Sequence, residues 1–355
     1  MKRKFNQTQI KENTNCVFKS PFGGFRGLVL VLFFSTFLGA QTRIITDMVG
    51  RKVTIPVKIN RILPHDDKTS IFLYPCFSGS IIARGANVEQ NTMKYIGADY
   101  QKLPVVDVNN VEEVIKVNPD VIIVGCFANE GYNRYEKLSQ KTNIPVIIVD
   151  LDILKLDDSY KFLVNLLGET PKAKSCIAYL ASFYKEIAQV QKTNKKREAS
   201  VYVAVGNDGL RTAPSGSKHA QLLDLLNISN AAQTDIQARG YADVSIEQIM
   251  VWKPDFIFTV DKTENDPFTV ITSSKLWKDI PAVQNKRVIH IPEEPYSWFG
   301  NPPSVNRIPG LILLLELFYQ YPRPKGHQQI KDFYKLFYNY PLTDAELAKL
   351  LVNRS

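Results

Sequence analysis

Arginines placed after a predicted strand could bind an anion. Residues 201–206 have the apolar, β-branched composition of a buried strand, and Asn207, Arg211 and Thr212 follow it. In open α/β sheets, ligands bind outside the carboxyl ends of the strands, and a guanidinium offers a charged, forked donor suited to carboxylates and oxyanions. Two interpretations of Arg211 stay open: it contacts a ligand, or it forms an exposed ion pair with Asp208, which has little energetic value.

A loop rich in aromatic residues is the strongest candidate for the wall of a ligand site. Tyr296, Trp298 and Phe299 lie in the sequence YSWFGNPP, and exposed aromatic rings are costly to leave in water. Ligand pockets favour aromatic walls, so we predict that Tyr296 and Trp298 contact ligand. Alternatively, Trp298 packs against the apolar helix that follows. Arg307 either reaches the ligand or anchors this loop, and anchoring is favoured.

Further candidates lie in loops next to predicted strands or helices. The ligand-binding candidates are Arg84, Phe127, Arg239 and Tyr241. Phe127 could instead only pack beneath its loop. His65 precedes Asp66 and Asp67 after a predicted strand, and imidazole together with carboxylate suits a transition metal. The alternative at His65 is a polar turn.

The sequence lacks the common catalytic signatures. GxSxG, HExxH and GxxxxGK[ST] do not occur, and the neighbouring Glu293 and Glu294 point apart in an extended chain. We therefore predict a protein that is not an enzyme and carries no resident cofactor, with a secreted α/β enzyme as the remote alternative. A bare zinc or manganese site needs several converging histidines and carboxylates, and only four histidines occur in the chain.

The first 40 residues are predicted to be a secretory signal peptide. Basic residues precede the apolar run LVLVLFFSTFL, and Gly39 and Ala40 provide a small-residue cleavage site. The run is shorter than the ~20 apolar residues of a bilayer span, and retention as an anchor is the alternative. We expect a periplasmic protein of Gram-negative type. The net charge of +9 falls to +4 without the six basic and one acidic residues of this segment, so no nucleic-acid partner is implied.

One phrase occurs twice in the chain. Residues 111–125 read VEEVIKVNPDVIIVG and residues 246–260 read IEQIMVWKPDFIFTV. Each predicts a short helix that stops before Pro-Asp and a buried parallel strand that follows. One αβ unit repeated about 135 residues apart predicts two similar lobes, and a cleft between lobes is a common place for a small ligand.

A long amphipathic helix separates the two units. After Thr170, apolar residues recur at helical spacing for about 20 residues, which corresponds to about 30 Å of helix. We therefore predict a signal peptide at 1–40, an N-terminal α/β lobe at 41–157, a helical linker with the bridging helix at 158–198, a C-terminal α/β lobe at 199–327 and a helical tail at 328–355.

Three cysteines follow the predicted cleavage site: Cys76, Cys126 and Cys176. Their odd number and wide spacing indicate no disulfide framework and no CxxC metal motif. We expect all three to be small buried apolar side chains.

Six segments, in the same order, resemble class III periplasmic substrate-binding proteins of ABC importers. They are TDMVGRKVTIP, VEEVIKVNPDVIIVG, VGNDGLRTAPSGS with LLDLLNISNAA, VSIEQIMVWKPDFIF, WKDIPAVQNKRVIHIP and WFGNPPSVNRIPGL. Together they span nearly all of the chain after residue 44. The resemblance implies an α/β fold with two Rossmann-like lobes joined by one long α-helix and a ligand cleft between the lobes.

The resemblance also implies a function. A protein of this kind is a monomeric carrier that captures a metal chelate, such as an iron(III)-siderophore or a nickel chelate, and delivers it to an ABC permease. A molybdate or tungstate oxyanion and a bare transition metal are the alternatives, so the cargo would contain Fe, Ni or Mo. Acidic residues on each lobe would dock the permease, and Asp224 in LLDLL is a candidate on the second lobe.

Overall fold

A computed structural model gives the fold. It describes residues 41–85, 92–127, 131–260 and 266–351, all within one compact unit of residues 40–355. The predicted signal peptide at 1–40 lies outside the described residues. Within the described ranges, no helix is both long and apolar enough to cross a membrane.

The N-terminal lobe contains an antiparallel hairpin and a parallel sheet. Its strands in chain order are β1 (Thr42–Thr46), β2 (Lys52–Pro56), β3 (Ile62–Pro64), β4 (Val121–Cys126) and β5 (Val146–Asp150). The strands β1 and β2 form the hairpin around Gly50, whose φ of +83° suits glycine. The sheet order is β3-β4-β5, all parallel, and every residue of the central strand β4 is buried.

Short helices cover this sheet. They are α1 (Asp67–Phe77), α2 (Ala98–Gln101), α3 (Val111–Val117) and α4 (Asn133–Thr142). Asp66 caps α1 by accepting a hydrogen bond from the backbone N–H of Thr69, and Asn110 caps α3 in the same way. These caps fix where each helix begins.

Two helices lead from the first lobe to the second. They are α5 (Leu156–Leu167) and α6 (Pro171–Thr193). Thr170 caps α6 and proline occupies its first position, as the sequence indicated. The buried residues of α6 recur every three or four positions and form one face against the core.

The C-terminal lobe is built on a six-stranded mixed sheet. Its strands are β6 (Ser200–Val205), β7 (Arg211–Thr212), β8 (Ser229–Asn230), β9 (Ala242–Asp243), β10 (Phe256–Thr259) and β11 (Val288–His290). The order is β11-β10-β6-β7-β9, with β8 paired to the start of β6. The strands β6, β10 and β11 are parallel, whereas β7 runs antiparallel to both β6 and β9.

Helices surround this second sheet and extend back to the first lobe. They are α7 (Gln221–Leu225), α8 (Ile246–Trp252), α9 (Pro267–Ser273), α10 (Pro281–Gln284), α11 (Ile308–Phe318), α12 (Arg323–Phe337) and α13 (Asp344–Leu350). The apolar helix α11 is almost completely buried. The helix α12 packs against α1 and α6 as well as α11, so the C-terminal part of the chain contacts the N-terminal lobe.

The two repeated phrases fold as predicted. Asn118 and Lys253 end α3 and α8 in the left-handed conformation, with φ of 47° and 48°. The aspartate of each Pro-Asp pair then binds the start of a neighbouring strand. Asp120 accepts hydrogen bonds from the backbone N–H groups of Asn60 and Arg61 before β3, and Asp255 accepts one from the first residue of β6.

Candidate functional site

Residues at the carboxyl ends of β4 and β5 in the first lobe contact side chains of the second lobe at one junction. Phe127 follows β4 of the first lobe, and the Lys218 ammonium and the Arg307 guanidinium of the second lobe lie 5.9 Å and 5.8 Å from its ring centroid. The Gln221 side-chain amide also donates a hydrogen bond of 3.3 Å to Asp152, which follows β5. These contacts locate the floor of the cleft between the lobes.

The buried side chain of Arg307 links the segments that form this floor through hydrogen bonds. Its side chain is completely buried, and its two terminal nitrogens donate to the carbonyl of Lys218 at 3.1 Å and to the Gln221 side-chain oxygen at 3.0 Å. Burial lowers the pKa of the guanidinium to about 10, although the nearby Asp152 carboxylate opposes this shift. These bonds match the anchoring interpretation of Arg307. The alternative, a contact with ligand, stays a prediction.

A stack of three side chains stands beside the junction. The Arg211 guanidinium lies 4.6 Å from the ring centroid of Tyr241, and the Tyr241 ring stacks on His219 at 4.2 Å with an angle of 11°. Among the described residues no ion pair joins Arg211 to Asp208, whose carboxylate instead accepts from the N–H of Leu210. Arg211 is therefore held by an aromatic face, which leaves its N–H edge available to a ligand.

His219 is buried, and its proton can be assigned. Its Nε2 lies 3.2 Å from the carbonyl oxygen of Arg239, and a carbonyl can only accept, so Nε2 carries the proton. Its Nδ1 is buried without a hydrogen-bond partner within the described residues. Burial first, and then the positive charges of Lys218, Arg307 and Arg211, lower the pKa of His219 to about 4. The imidazole is therefore neutral at physiological pH.

The cations around His219 give this side of the cleft a positive field. Lys218 and Arg239 are exposed, and Arg211 is half-buried. Arg239 has a φ of +59°, which fixes its turn in the left-handed region beside Gly240. The positive charges of Lys218, Arg211 and Arg307 beside the neutral imidazole would repel a bare metal cation and favour an anionic ligand.

Three further candidates lie around this edge with different exposure. Asn207 is exposed in the loop after β6. Thr212 is completely buried in β7, and the ligand contact of its side chain stays a prediction. Tyr241 is buried at 9% exposure between Arg211 and His219, where it supports both.

A second group of candidates lies on the first lobe. Arg84 is buried at 9% exposure, and its Nε donates to the carbonyl of Leu103 at 3.1 Å. Burial raises the pKa of Tyr100 to about 12, although a hydrogen bond with Ser70 and the charge of Arg84 oppose this rise. Burial also raises the pKa of Tyr296, and Tyr100 and Arg84 both act on this phenol. Arg84, Tyr100 and Tyr296 therefore share one environment, separate from the stack at His219.

Trp298 packs against helix α12. It is 1% exposed, its ring packs edge-on against Tyr334 of α12, and its Nε1 donates to the Tyr334 hydroxyl at 3.1 Å. Tyr334 of α12 contacts both the ring and the polar atom of Trp298, and the role of Trp298 as a ligand wall stays a prediction.

His65 and its neighbours form a polar turn. The His65 Nδ1 lies 3.4 Å from the Asp66 carboxylate, and the Lys68 ammonium lies 2.7 Å from the same carboxylate. Burial disfavours ionisation of Asp66, but hydrogen bonds from His65, Lys68 and Thr69 and the charge of Lys68 outweigh it and hold the pKa well below its usual value. No group of three or more metal-ligating side chains converges in the described part of the chain, and the metal site at His65 stays a prediction.

Sequence reasoning missed the residues that close the floor. Lys218, Gln221 and Asp152 were not singled out as candidates. Their only local signal is the polar segment SGSKHAQ between β7 and α7. The contacts that define their role cross from one lobe to the other, between residues that are 69 or more positions apart.

The chain belongs to the periplasmic binding protein family. The family model described as periplasmic binding protein matches residues 84–295, more than half of the chain. This confirms the resemblance drawn from the six segments. The family and the relatives that match are binding proteins of transporters.

Among its relatives, the molybdate-binding protein MolA of Haemophilus influenzae is 26% identical over 336 residues, which cover 85% of this chain and 93% of MolA. The petrobactin-binding protein YclQ of Bacillus subtilis is 26% identical over 186 residues, 51% of this chain and 57% of YclQ. The chain thus matches nearly all of MolA and little more than half of YclQ.

Solved structures confirm the two-lobed α/β fold. An ABC transporter solute-binding protein from Sulfurospirillum deleyianum aligns with a TM-score of 0.78 at 22% identity, over 87% of this chain and 98% of that chain. Molybdate-bound MolA aligns with a TM-score of 0.66 at 22% identity, over 85% of this chain and 99% of that chain. Identities this low establish the fold alone.

Proposed function

We propose that this chain is the extracytoplasmic substrate-binding component of an ABC importer and captures an anionic, metal-containing ligand, foremost an iron(III) chelate, between its lobes. The observation that carries the proposal is the positive edge formed by Lys218 and Arg211 beside the neutral His219, whose pKa both charges lower. We further propose that it binds without turnover and is exported by the signal peptide at 1–40.

The physical argument concerns charge. Arg211 is held over Tyr241 and the Lys218 ammonium lies 5.9 Å from the Phe127 ring centroid, so both cations are oriented at the junction between lobes. Carboxylate, hydroxamate and catecholate groups of a ferric chelate present anionic oxygens, and charge-assisted hydrogen bonds to such oxygens contribute about 1.5–3 kcal/mol each. A bare cation would gain nothing from these residues.

A second candidate is a molybdate or tungstate oxyanion. It is supported by the match to MolA, a molybdate-binding protein, which extends over 93% of that relative, whereas the match to the petrobactin binder covers 57%. The same cations suit a tetrahedral oxyanion. The two candidates differ in size, so a panel of ligands separates them.

The test is a thermal-shift panel with ferric citrate, ferric hydroxamate and catecholate chelates, nickel-histidine, molybdate and tungstate. A ligand at 100 times its Kd adds about 2.7 kcal/mol of stability, which corresponds to a rise in Tm of several degrees for a chain of this size. Zinc and manganese chlorides serve as the bare-cation controls. If only the bare cations raise the Tm, the proposal is wrong.

Docking on a permease requires acidic side chains on both lobes. Glu112 and Glu247 hold equivalent places in the two repeat units, because each is the second residue of its helix, and both are exposed. We therefore propose this pair as the docking carboxylates. Asp224 is exposed in α7 and stays a prediction.

Charge reversal at the pair tests this docking arrangement. Glu112→Arg with Glu247→Arg should abolish stimulation of the permease's ATPase in proteoliposomes while the ligand affinity stays unchanged. Asp224→Arg is measured in parallel, and full stimulation by that variant would reject the Asp224 prediction. Full stimulation by the Glu112/Glu247 double variant would reject the proposed pair.

A further inference from the structure

Two cysteines that are 100 positions apart in the sequence meet in the core of the first lobe. Cys76 lies near the end of α1 and is 7% exposed, and Cys176 lies on α6 and is completely buried. Both are thiols in this structure, and the neighbouring Cys176 thiol, together with burial, raises the pKa of Cys76. Sequence spacing predicted no connection among Cys76, Cys126 and Cys176. The contact between Cys76 and Cys176 could not be predicted from spacing, because it depends on how α1 packs against α6.

The surroundings hold this pair in place. Helices α1 and α6 pack side by side. Tyr160 of α5 acts electrostatically on both thiols, and its hydroxyl donates to the carbonyl of Phe72 on α1 at 2.7 Å while its ring stacks on Phe72 at 4.3 Å. Three helices therefore fix the two sulfur atoms next to each other in an apolar core.

We propose that Cys76 and Cys176 form a disulfide that joins the first helix of the N-terminal lobe to the bridging helix. The proposal rests on the proposed extracytoplasmic location, since disulfides persist in oxidising compartments. Both helices are already in contact, and bond formation requires the sulfur atoms to approach to about 2.0 Å. The bond would fix the position of α1 relative to the helix that spans the lobes. The N-terminal cap of α1, Asp66, adjoins the carboxyl end of β3.

The chemistry needs an oxidant, and a disulfide-carrying oxidoreductase or glutathione disulfide provides it. One cysteine thiolate attacks the oxidant's disulfide, forms a mixed disulfide and releases one thiol. The second cysteine thiolate then attacks the mixed disulfide, forms the Cys76–Cys176 bond and releases the second thiol. The two cysteines lose two electrons and two protons, and the oxidant's two sulfur atoms gain them. Because the pair is buried in the folded chain, this exchange takes place during folding.

Cys126 provides an internal control. It ends β4, is 1% exposed and interacts with the hydroxyl of Tyr135. The proposal therefore predicts that Cys126 stays a thiol under conditions that oxidise the other two. Burial alone cannot produce that difference, because all three cysteines are buried.

The test is refolding of residues 41–355, a chain that lacks the fourth cysteine, Cys16, in a glutathione redox buffer. Denaturation and alkylation follow, before and after reduction. Peptide mass spectrometry should find Cys126 alkylated before reduction, and Cys76 and Cys176 alkylated only after it. Cys76→Ser should make Cys176 reactive before reduction, whereas Cys126→Ser should leave the pair protected. If Cys76 and Cys176 react before reduction as fully as Cys126, the proposal is wrong.

A stability measurement gives an independent result. Reductant should lower the Tm of the wild type and of Cys126→Ser by on the order of 5 °C, and should leave the Tm of Cys76→Ser unchanged. Each protein is compared with itself, with and without reductant, so the change in Tm caused by the substitution alone cancels. An equal effect of reductant on all three proteins would overturn the proposal. Neither measurement uses a ligand, so a failure here is distinct from a failure of the proposed function.

Discussion

His219 makes the stability of this protein depend on pH in a defined direction. Burial and the charges of Lys218, Arg307 and Arg211 lower the pKa of His219 from 6.5 to about 4 in the folded chain. Between these values the unfolded chain binds a proton that the folded chain does not. The free energy of unfolding therefore falls as the pH falls from 6.5 towards 4, and the contribution is complete above pH 6.5.

The size of the effect follows from the two pKa values. A factor of ten in proton affinity corresponds to 1.36 kcal/mol, so the full loss is about 3 kcal/mol by pH 4. Between pH 7 and pH 5 the expected loss is about 2 kcal/mol, because near pH 5 the folded imidazole is still almost entirely neutral. Other titrating groups add to the measured curve, so the effect is isolated by a substitution.

The substitution is His219→Gln, which keeps a neutral donor near the Arg239 carbonyl and cannot titrate. Urea denaturation at pH 7 and pH 5 should give a loss of stability that is about 2 kcal/mol smaller for His219→Gln than for the wild type. His327→Gln serves as the control, since that side chain on α12 is 38% exposed. If the free energy of unfolding falls by the same amount between pH 7 and pH 5 in His219→Gln and in the wild type, the depressed pKa of His219 is refuted.

Three further substitutions test the packing around the cleft, each measured by urea denaturation. Arg307→Ala should lower the free energy of unfolding by about 3 kcal/mol, because hydrogen bonds are lost and a cavity forms. The control Arg197→Ala, at an exposed position, should lower it by less than 1 kcal/mol. Equal losses in the two variants would contradict the anchoring role of Arg307. Gly310→Ala should cost at least about 3 kcal/mol, because its Cβ would lie 1.9 Å from a backbone oxygen, whereas Gly79→Ala, with open space around it, should be nearly neutral. Trp298→Phe should cost about 1–3 kcal/mol with unchanged ligand affinity; a tenfold weaker affinity would support the predicted ligand wall.

The repeat units show how far local sequence determines the fold. Helix α3 and strand β4, and helix α8 and strand β10, begin and end near their predicted limits, because amphipathic spacing, a helix stop and a proline are all local signals. The role of Asp120 was not predictable in this way. Its carboxylate binds backbone N–H groups of Asn60 and Arg61 at the start of β3, about 60 residues earlier in the chain.

The N-terminal hairpin is shorter than the local sequence pattern predicts. Residues 44–63 contain two β-rich runs joined at Gly50, which predicts a single hairpin, and the turn at Gly50 is confirmed. The hairpin ends at Pro56, however, and β3 pairs in parallel with β4 instead. Strand partners in parallel sheets are distant in sequence, so composition alone cannot assign β3 to one sheet or the other.

The aromatic loop shows why exposure cannot be inferred from composition. Trp298 was expected to contact ligand, yet its partner Tyr334 lies 36 residues later on α12 and removes it from solvent. Arg211 was assigned to the site by its position after a strand, which a topological rule supports. Its support by Tyr241 and His219 became visible only in three dimensions, because β7 and β9 pair in the sheet.

The most direct test of the central claim is a calorimetric titration of the purified protein with the anionic ligand that gives the largest thermal shift. We predict saturable binding at one site per chain, and an affinity at least tenfold weaker for Lys218→Gln and for Arg211→Gln, since each removes one charge-assisted contact. Lys195→Gln, an exposed change in the linker, should bind like the wild type. Wild-type affinity in both cleft variants, or no saturable binding of any anion, would contradict the proposed function.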